Sequence, residues 1–233
     1  MNLPILNSPI YTLELPSTGE DIEYRPFLVK EQKALMIAEQ SKNQKNLNKT
    51  IIELINNCTF GKLNAESLPV FDIEIIFLKL RAKSVGETAE IIVTCKDDNK
   101  TKVPVKINID EIDVTMTENH SNIINITDDI KLIMGYPTLK DVKTTSKDDT
   151  EMMFDLISTC IDEVHDGDKI IKKVDWTKKE IDAFIESMDT NQLTAIMNFF
   201  NTMPKVRYLV KVENPKTKVM NEIMLEGINN FLQ

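Results

Sequence analysis

The segment from Pro69 to Ser84 constrains the fold more than any other part of the chain, because it is almost continuously apolar. Before Arg81, only Asp72, Glu74 and Lys79 interrupt its apolar residues. The run is long for a strand, and a proline suits the first position of a helix. The sequence therefore predicts a buried helix here, against which other elements must pack.

Two β-hairpins are predicted, one after this helix and one near the end of the chain. In the first, residues 90–94 and 102–109 flank a polar turn, and apolar residues alternate along the second run. Such alternation is typical of a hairpin with one buried face. In the second hairpin, residues 208–212 and 219–225 flank the turn Glu213-Asn214-Pro215.

The region before residue 60 combines a short β segment with two helices. Residues 11–15 and 22–24 have extended patterns separated by a turn-rich stretch. Good helix formers follow from Val29, and a polar break at 41–49 separates them from a short second helix around 51–55.

Helices return after residue 148. Apolar residues at helical spacing from Met152 to Val164 predict one helix. Thr177 to Glu180 form a capping box, which predicts a pair of helices over about 178–203. Pro204 is expected to end the second of them.

These elements predict an α+β protein in which helical units are each followed by a β-hairpin, after a short N-terminal β segment. We expect an N-terminal segment (1–113), an irregular β-containing connector (114–146) and a C-terminal segment of helices and hairpin (147–233). Lys100–Val103 and Lys216–Val219 have the same sequence, Lys-Thr-Lys-Val. This match indicates an internal repeat, and two similar hairpins without common origin are an equally good interpretation.

Charge and composition exclude several classes of protein. The 37 acidic residues outnumber the 28 basic ones, and the net charge of −9 argues against a surface that coats nucleic acid. No uncharged apolar stretch of about 18 residues occurs, so we expect no membrane span. The three cysteines lie far apart in a chain that begins without a secretory pattern, and we expect reduced intracellular thiols.

No complete set of catalytic or metal-binding residues is visible. Cys95 precedes the first hairpin turn, but Asp97 and Asp98 follow it, so we predict a hairpin without zinc. The acidic run Asp162–Asp168 resembles half of a calcium loop, yet Lys173 stands where the loop needs glutamate. We interpret that run as a solvated turn and predict no catalytic residues, no metal site and no cofactor; a metal-dependent hydrolase is the less favoured alternative.

Three stretches together resemble one protein family. They are Glu23–Lys33, Phe77–Ser84 before the first hairpin, and the closing pattern from Phe199 to Leu232. They are similar to the T-even-like (T-four-type) phage baseplate hub assembly family, and the resemblance covers most of the chain. Members of that family often carry cysteine pairs in the hairpin turns, whereas only Cys95 remains here. The resemblance thus implies zinc-knuckle-like hairpins that lack the cysteine pairs.

The resemblance also implies a function. It points to a non-enzymatic assembly factor or chaperone for the central hub of a contractile-tail baseplate, and the alternative is a permanent hub subunit in the virion. The implied partners are other phage baseplate hub and tail proteins. The implied location is the host cytoplasm during assembly, or the virion tail baseplate.

Four residues are expected to contact such partners. Tyr24, Arg25 and Phe27 lie in the block most like the family, and Phe231 lies in the last apolar cluster. Arginine is favoured at interfaces because its planar fork pairs with carboxylates. The structural alternative is that the two aromatic residues of the first block only pack the core beneath a strand–helix junction.

Overall fold

The computed structural model describes residues 6–141 and 148–227, and its elements confirm the α+β class. The helices are α1 (Val29–Gln40), α2 (Gln44–Cys58), α3 (Val70–Val85), α4 (Asp149–Cys160), α5 (Lys178–Glu186) and α6 (Thr190–Thr202). The strands are β1 (Tyr11–Glu14), β2 (Asp21–Tyr24), β3 (Thr88–Thr94), β4 (Lys102–Asn108), β5 (Asp113–Thr115), β6 (Ile123–Asn125), β7 (Ile130–Met134), β8 (Ile161–Asp166), β9 (Lys169–Lys172), β10 (Lys205–Glu213) and β11 (Met220–Glu226).

The chain divides into two compact units. The discontinuous unit comprises Met1–Thr115 and Lys205–Gln233, and the central unit comprises Met116–Pro204. The hairpin β10–β11 therefore belongs to the same unit as the hairpin β3–β4. Each of the three segments expected from the sequence, in contrast, is one continuous stretch of the chain. Every strand pairing is antiparallel, and the sheets have the orders β1-β2, β3-β4, β11-β10-β5 and β6-β7-β8-β9.

Helix α3 is the buried centre of the discontinuous unit, as predicted. Pro69 is its N-cap, and from Phe71 to Leu78 every residue except Glu74 is buried. Both predicted hairpins are present and place their apolar faces in one cluster with this helix. The buried members of that cluster are Ile75, Leu78, Ala82, Ala89, Ile91, Val93, Ile107, Ile109, Ile112, Val206, Val210, Ile223 and Leu225.

Helix α2 is longer than predicted. The polar run was expected to separate two helices, but α2 begins at Gln44 because the Asn43 side chain caps it. Asn43 Oδ1 accepts hydrogen bonds from the N–H groups of Lys45 (3.0 Å) and Asn46 (3.3 Å). The first turns of α2 are polar on their exposed side, and Leu47 already faces the core. The short helix around 51–55 was therefore the second half of a full helix.

In the central unit, the prediction that one helix face runs through Val164 was wrong. Helix α4 ends at Cys160, and the chain continues directly as β8. The pairing with β7 shifts there, since Met134 faces Ile161 whereas Ile133 faces Glu163. This β-bulge turns both Ile161 and Val164 to the buried face, three residues apart, and so imitates helical spacing.

The acidic run Asp162–Asp168 is likewise not a turn after a helix. It forms most of β8 and the tight turn into β9, where Gly167 has a φ of 56°. Its side chains point to both faces of the sheet, because successive residues of a strand alternate.

The capping box and the helix pair are confirmed. Glu180 Oε2 accepts a hydrogen bond from the Thr177 N–H (2.7 Å), and Thr177 Oγ1 accepts one from the Glu180 N–H (3.4 Å). A second box joins Asp189 and Gln192 at the start of α6. Pro204 follows the end of α6, as expected.

We expect Thr177→Ala to lower the free energy of unfolding by about 1 kcal/mol, because the first turn of α5 loses its cap. The midpoint of urea denaturation measures this effect. Thr194→Ala is the matched control, since Thr194 is exposed within α6 and, among the described residues, its side chain bonds only to the Thr190 carbonyl oxygen in the same helix. Equal midpoints for Thr177→Ala and the wild type would contradict the assignment.

Candidate functional site

The strand–helix junction, defined here as Tyr24–Glu31, contains three of the four predicted interaction residues. Tyr24 and Phe27 are buried, with 4% and 8% of their surfaces exposed. Arg25 forms a forked ion pair with Glu31, in which Nη2 donates to Oε1 (2.9 Å) and Nη1 donates to Oε2 (3.3 Å). The side chains of Arg25 and Glu31 are 14% and 5% exposed.

Backbone groups of this junction tie β2 and α1 to the ends of two other helices. The Arg25 N–H donates to the carbonyl oxygen of Cys58 at the end of α2 (3.0 Å). The Phe27 N–H donates to Oγ of Ser84 in the last turn of α3 (2.9 Å). The Leu28 N–H donates to Glu31 Oε2 (2.6 Å), which satisfies a free donor at the start of α1. The junction thus holds three helices to one strand.

Electrostatics keep this ion pair charged. Burial acts to raise the pKa of Glu31, but hydrogen bonds from Arg25 and the Leu28 N–H outweigh it and leave the pKa below its ordinary value. The hydrogen bond to Glu31 raises the pKa of Arg25. The guanidinium is therefore bound within the fold, and its predicted contact with a partner stays a prediction. Phe231, the fourth predicted residue, lies outside the residues that the structure describes.

A second polar cluster, the hairpin-turn cluster (Asp97, Asn214, Thr217 and Asn221), joins the turns of the two hairpins. Asn214 Nδ2 donates to both carboxylate oxygens of Asp97 (3.0 and 3.1 Å), and Thr217 Oγ1 donates to the same carboxylate. Asn221 Oδ1 accepts from the backbone N–H groups of Lys96 (2.8 Å) and Asp97 (3.1 Å). These bonds fasten the two turns to each other at their tips.

The two turns share a local geometry. Asp98 Oδ1 accepts from the N–H groups of Lys100 (3.0 Å) and Thr101 (2.9 Å). Asn214 Oδ1 accepts in the same way from Lys216 (2.9 Å) and Thr217 (3.4 Å). The residues that match in the predicted repeat therefore lie in equivalent turns, in each of which one side-chain oxygen accepts hydrogen bonds from two backbone N–H groups. Common origin of the hairpins stays a hypothesis.

Two carboxylates near the positions considered for metal binding, Asp97 and Glu163, form hydrogen bonds with other side chains of the protein. Hydrogen bonds from Asn214 and Thr217 lower the pKa of Asp97, while burial and the nearby carboxylates raise the pKa of the Cys95 thiol. Glu163, in the acidic run, bonds to Nε2 of His165 (2.8 Å). Within residues 6–141 and 148–227, no three histidine, cysteine, aspartate or glutamate side chains are grouped so that they could hold an ion.

His120 forms a cluster in the central unit that the sequence did not reveal. Thr202 Oγ1 donates its proton to the Asn198 carbonyl oxygen (2.7 Å), so it accepts from His120 Nδ1 (3.0 Å). Nε2 then accepts from the Tyr136 hydroxyl (2.9 Å). The imidazole also lies against the rings of Tyr136 and Phe199, with centroids 5.7 and 5.2 Å away. This arrangement suits the neutral form of the imidazole.

We expect the pKa of His120 to lie below 6.5, because burial disfavours its charged form. Its contribution to stability is then fully present above pH 6.5 and is lost as the pH falls through the lower pKa of the folded state. Titration of the imidazole signals by NMR measures this value. Tyr136→Phe removes the donor to Nε2 and is expected to raise the pKa of His120. A wild-type pKa at or above 6.5 would contradict the assignment of the cluster.

Helix α1 leaves an apolar face uncovered. Its outer face, defined by Val29, Met36 and Ile37, has side chains 80%, 53% and 58% exposed. Positions seven and eight residues apart share one side of a helix, whereas Leu35 and Ala38 on the other side are buried. Gln32 and Lys33, both exposed, lie on this side between Val29 and the other two residues, so the outer face combines apolar and polar side chains. Exposed apolar side chains grouped on one side of a helix are available for contact with another protein. In the described ranges, no helix combines the length and the apolar character that crossing a membrane requires.

Comparison with known proteins agrees with the family resemblance. A family model described as T4 bacteriophage base plate protein matches residues 8–233. No curated protein and no solved structure matches the chain significantly. The family match includes the strand–helix junction, both hairpins and the central unit. The chain therefore belongs to the family of T4 bacteriophage base plate proteins, and its partners are other proteins of the phage baseplate.

Proposed function

We propose that this protein is a non-enzymatic assembly factor that helps to build the central hub of the contractile-tail baseplate. The observation that carries the proposal is the family match, which extends over residues 8–233. The protein would act on other hub and tail proteins in the host cytoplasm, without binding nucleic acid. The alternative is a permanent structural subunit of the hub.

The distribution of polar groups supports a role without catalysis. Glu31 is bonded by Arg25, Asp97 by Asn214 and Thr217, and His120 by Thr202 and Tyr136. In each of these clusters the titratable side chain is therefore engaged in hydrogen bonds that hold elements of the fold together. Among the described residues, every buried side-chain nitrogen or oxygen has a hydrogen-bond partner.

The exposed apolar residues support a role in protein contact. Besides the outer face of α1, Leu209 and Met224 are 42% and 48% exposed and lie opposite each other on β10 and β11. Desolvation of such side chains is the main favourable contribution when proteins associate. Two apolar surfaces on one unit suit a protein that holds baseplate components during assembly.

Depletion of the protein during infection tests this proposal. We expect tail assembly to stop before the hub is complete, so that the other hub proteins stay in slowly sedimenting fractions of a sucrose gradient. Wild-type protein supplied from a plasmid should restore complete baseplates. Normal baseplates in cells that lack the protein would contradict the proposal.

We expect Ile37→Glu to leave the fold intact but to reduce copurification of baseplate proteins about tenfold, since a charge replaces an exposed apolar contact. The measurement is quantification of baseplate proteins that copurify from infected cells. Ile170→Glu is the matched control, because Ile170 on β9 has a similar exposure, 53% against 58% for Ile37. Equal recovery with both variants would exclude the outer face of α1 as the contact.

A further inference from the structure

Helices α4 and α6 of the central unit form an open cleft of about 240 Å³, here called the Met152 cleft. Its lining combines six apolar side chains with three aspartates. The lining residues are Asp141, Asp149, Met152, Met153, Asp155, Leu156, Ile157, Met197 and Phe200. Apolar side chains that are open to solvent thus lie beside carboxylates.

The size and the lining of this cleft favour a protein segment over a small molecule. Pockets that enclose drug-sized ligands hold about 300–1,000 Å³, whereas this cleft is smaller and open. Three of its apolar residues are methionines, whose unbranched side chains adapt to the shape of an incoming group. The groove between two helices accepts side chains of a third helix, as ridges fit into grooves.

Charge determines which kind of segment fits. The central unit has nine lysines and no arginine against 17 aspartates and glutamates, so it carries −8 of the chain's net charge of −9. Beside the Met152 cleft, Glu151, Asp182 and Glu186 line a neighbouring groove together with Asp155. Lys178, the cation of that groove, is already bound to Asp155 (2.6 Å) and Asp182 (3.3 Å). A cationic partner is therefore attracted here and an anionic one is repelled.

We propose that the Met152 cleft binds an amphipathic helix of another protein that carries lysines or arginines beside its apolar face. The apolar side chains of that helix would enter the cleft, and its cations would face Asp149 at the edge of the cleft. This inference goes beyond the proposed function, because the cleft binds such a helix whether the protein is an assembly factor or a hub subunit. Binding is therefore measured on the purified protein alone.

The test uses the full-length protein and a synthetic helical peptide about 18 residues long, with leucines on one face and lysines on the other. Titration calorimetry at low salt measures the dissociation constant. Two further peptides serve as controls, one with glutamate in place of lysine and one with the leucines distributed around the helix. We expect the first peptide to bind about tenfold more tightly than either control. Equal or undetectable binding of all three would overturn the proposal.

Two variants locate the binding. Asp149→Lys should weaken binding of the lysine peptide and strengthen binding of the glutamate peptide, each by about tenfold. Asp168→Lys makes the same charge change in the exposed β8–β9 turn, outside the cleft lining, and should change neither value by more than about threefold. Met152→Ser keeps the charge but removes an apolar lining group, and should also weaken binding of the lysine peptide. Equal effects of Asp149→Lys and Asp168→Lys, or unchanged binding by Met152→Ser, would overturn the proposal.

Discussion

Arg25→Ala is expected to lower the free energy of unfolding by about 3 kcal/mol, because it removes the hydrogen-bonded cation of a buried carboxylate. Glu31 is only 5% exposed, and after the substitution it would keep the bond from the Leu28 N–H and the more distant, exposed ammonium of Lys30, whose Nζ lies 3.7 Å from Oε1. The bond from the Arg25 side chain to the Pro26 carbonyl oxygen (3.0 Å) would also be lost. Urea denaturation of the purified variant measures the effect.

A double variant separates this structural role from a contact with a partner. Arg25→Met with Glu31→Gln removes both charges, while the new amide oxygen can still accept from the Leu28 N–H. Replacement of a whole buried ion pair is often neutral, so we expect most of the stability to return. If the double variant is no more stable than Arg25→Ala, the pairing of Arg25 with Glu31 is not the cause of the loss.

The same double variant tests the predicted contact of Arg25 with baseplate proteins. A stable protein without the guanidinium should lose copurifying baseplate proteins if Arg25 contacts them directly. Recovery equal to that of the wild type would assign Arg25 to the fold alone. The single variant cannot make this distinction, because its loss of stability would itself reduce assembly.

Phe199→Ala is expected to lower the free energy of unfolding by about 4 kcal/mol, because it opens a cavity at the centre of the central unit. Phe199 is 2% exposed. Its ring lies near those of Tyr136, His120 and Phe200, with centroid distances of 5.6, 5.2 and 5.1 Å. Such aromatic contacts add to the effect of burial. The midpoint of urea denaturation measures the loss.

Phe60→Ala is the matched control for this substitution. Phe60 is 45% exposed in the turn after α2, and its removal should change the free energy of unfolding by less than about 1 kcal/mol. Phe199→Ala should in addition raise the pKa of His120, since water would reach the imidazole. Similar losses of stability in both variants would contradict the assignment of Phe199 to the core.

The elements that were predicted correctly are those whose signals are local. The continuous apolar run predicted α3, and alternation along the strands predicted both hairpins. The spacing of Thr177 and Glu180 predicted the start of α5. Each of these patterns depends on residues only a few positions apart. Local propensity and tertiary packing agree at these places, so the sequence was sufficient.

The errors have physical causes of their own. The bulge near Asp162 gave strand β8 a three-residue apolar spacing, which is indistinguishable from part of a helix face. Helix α2 begins with polar residues because they face solvent, and only the cap at Asn43 marks its start. In both cases the tertiary surroundings, rather than the local pattern, decide which side of an element is buried.

The sites could be predicted only in part. The sequence singled out Tyr24, Arg25 and Phe27 but not the pairing with Glu31, which depends on the bend between β2 and α1. Asp97 and Asn214 are separated by 117 residues, and no spacing rule relates them. The lining of the Met152 cleft likewise combines Asp141 with residues of α4 and α6, which are far apart in the sequence.

Quantitative mass spectrometry of purified virions tests the proposed function most directly. Completed particles and the infected-cell lysate should be compared, with known baseplate subunits as internal standards for copy number. An assembly factor leaves the hub when it is complete, so we expect the protein to be abundant in the lysate and absent from purified particles. A fixed copy number in the particles would contradict this expectation and identify the protein as a permanent subunit of the baseplate.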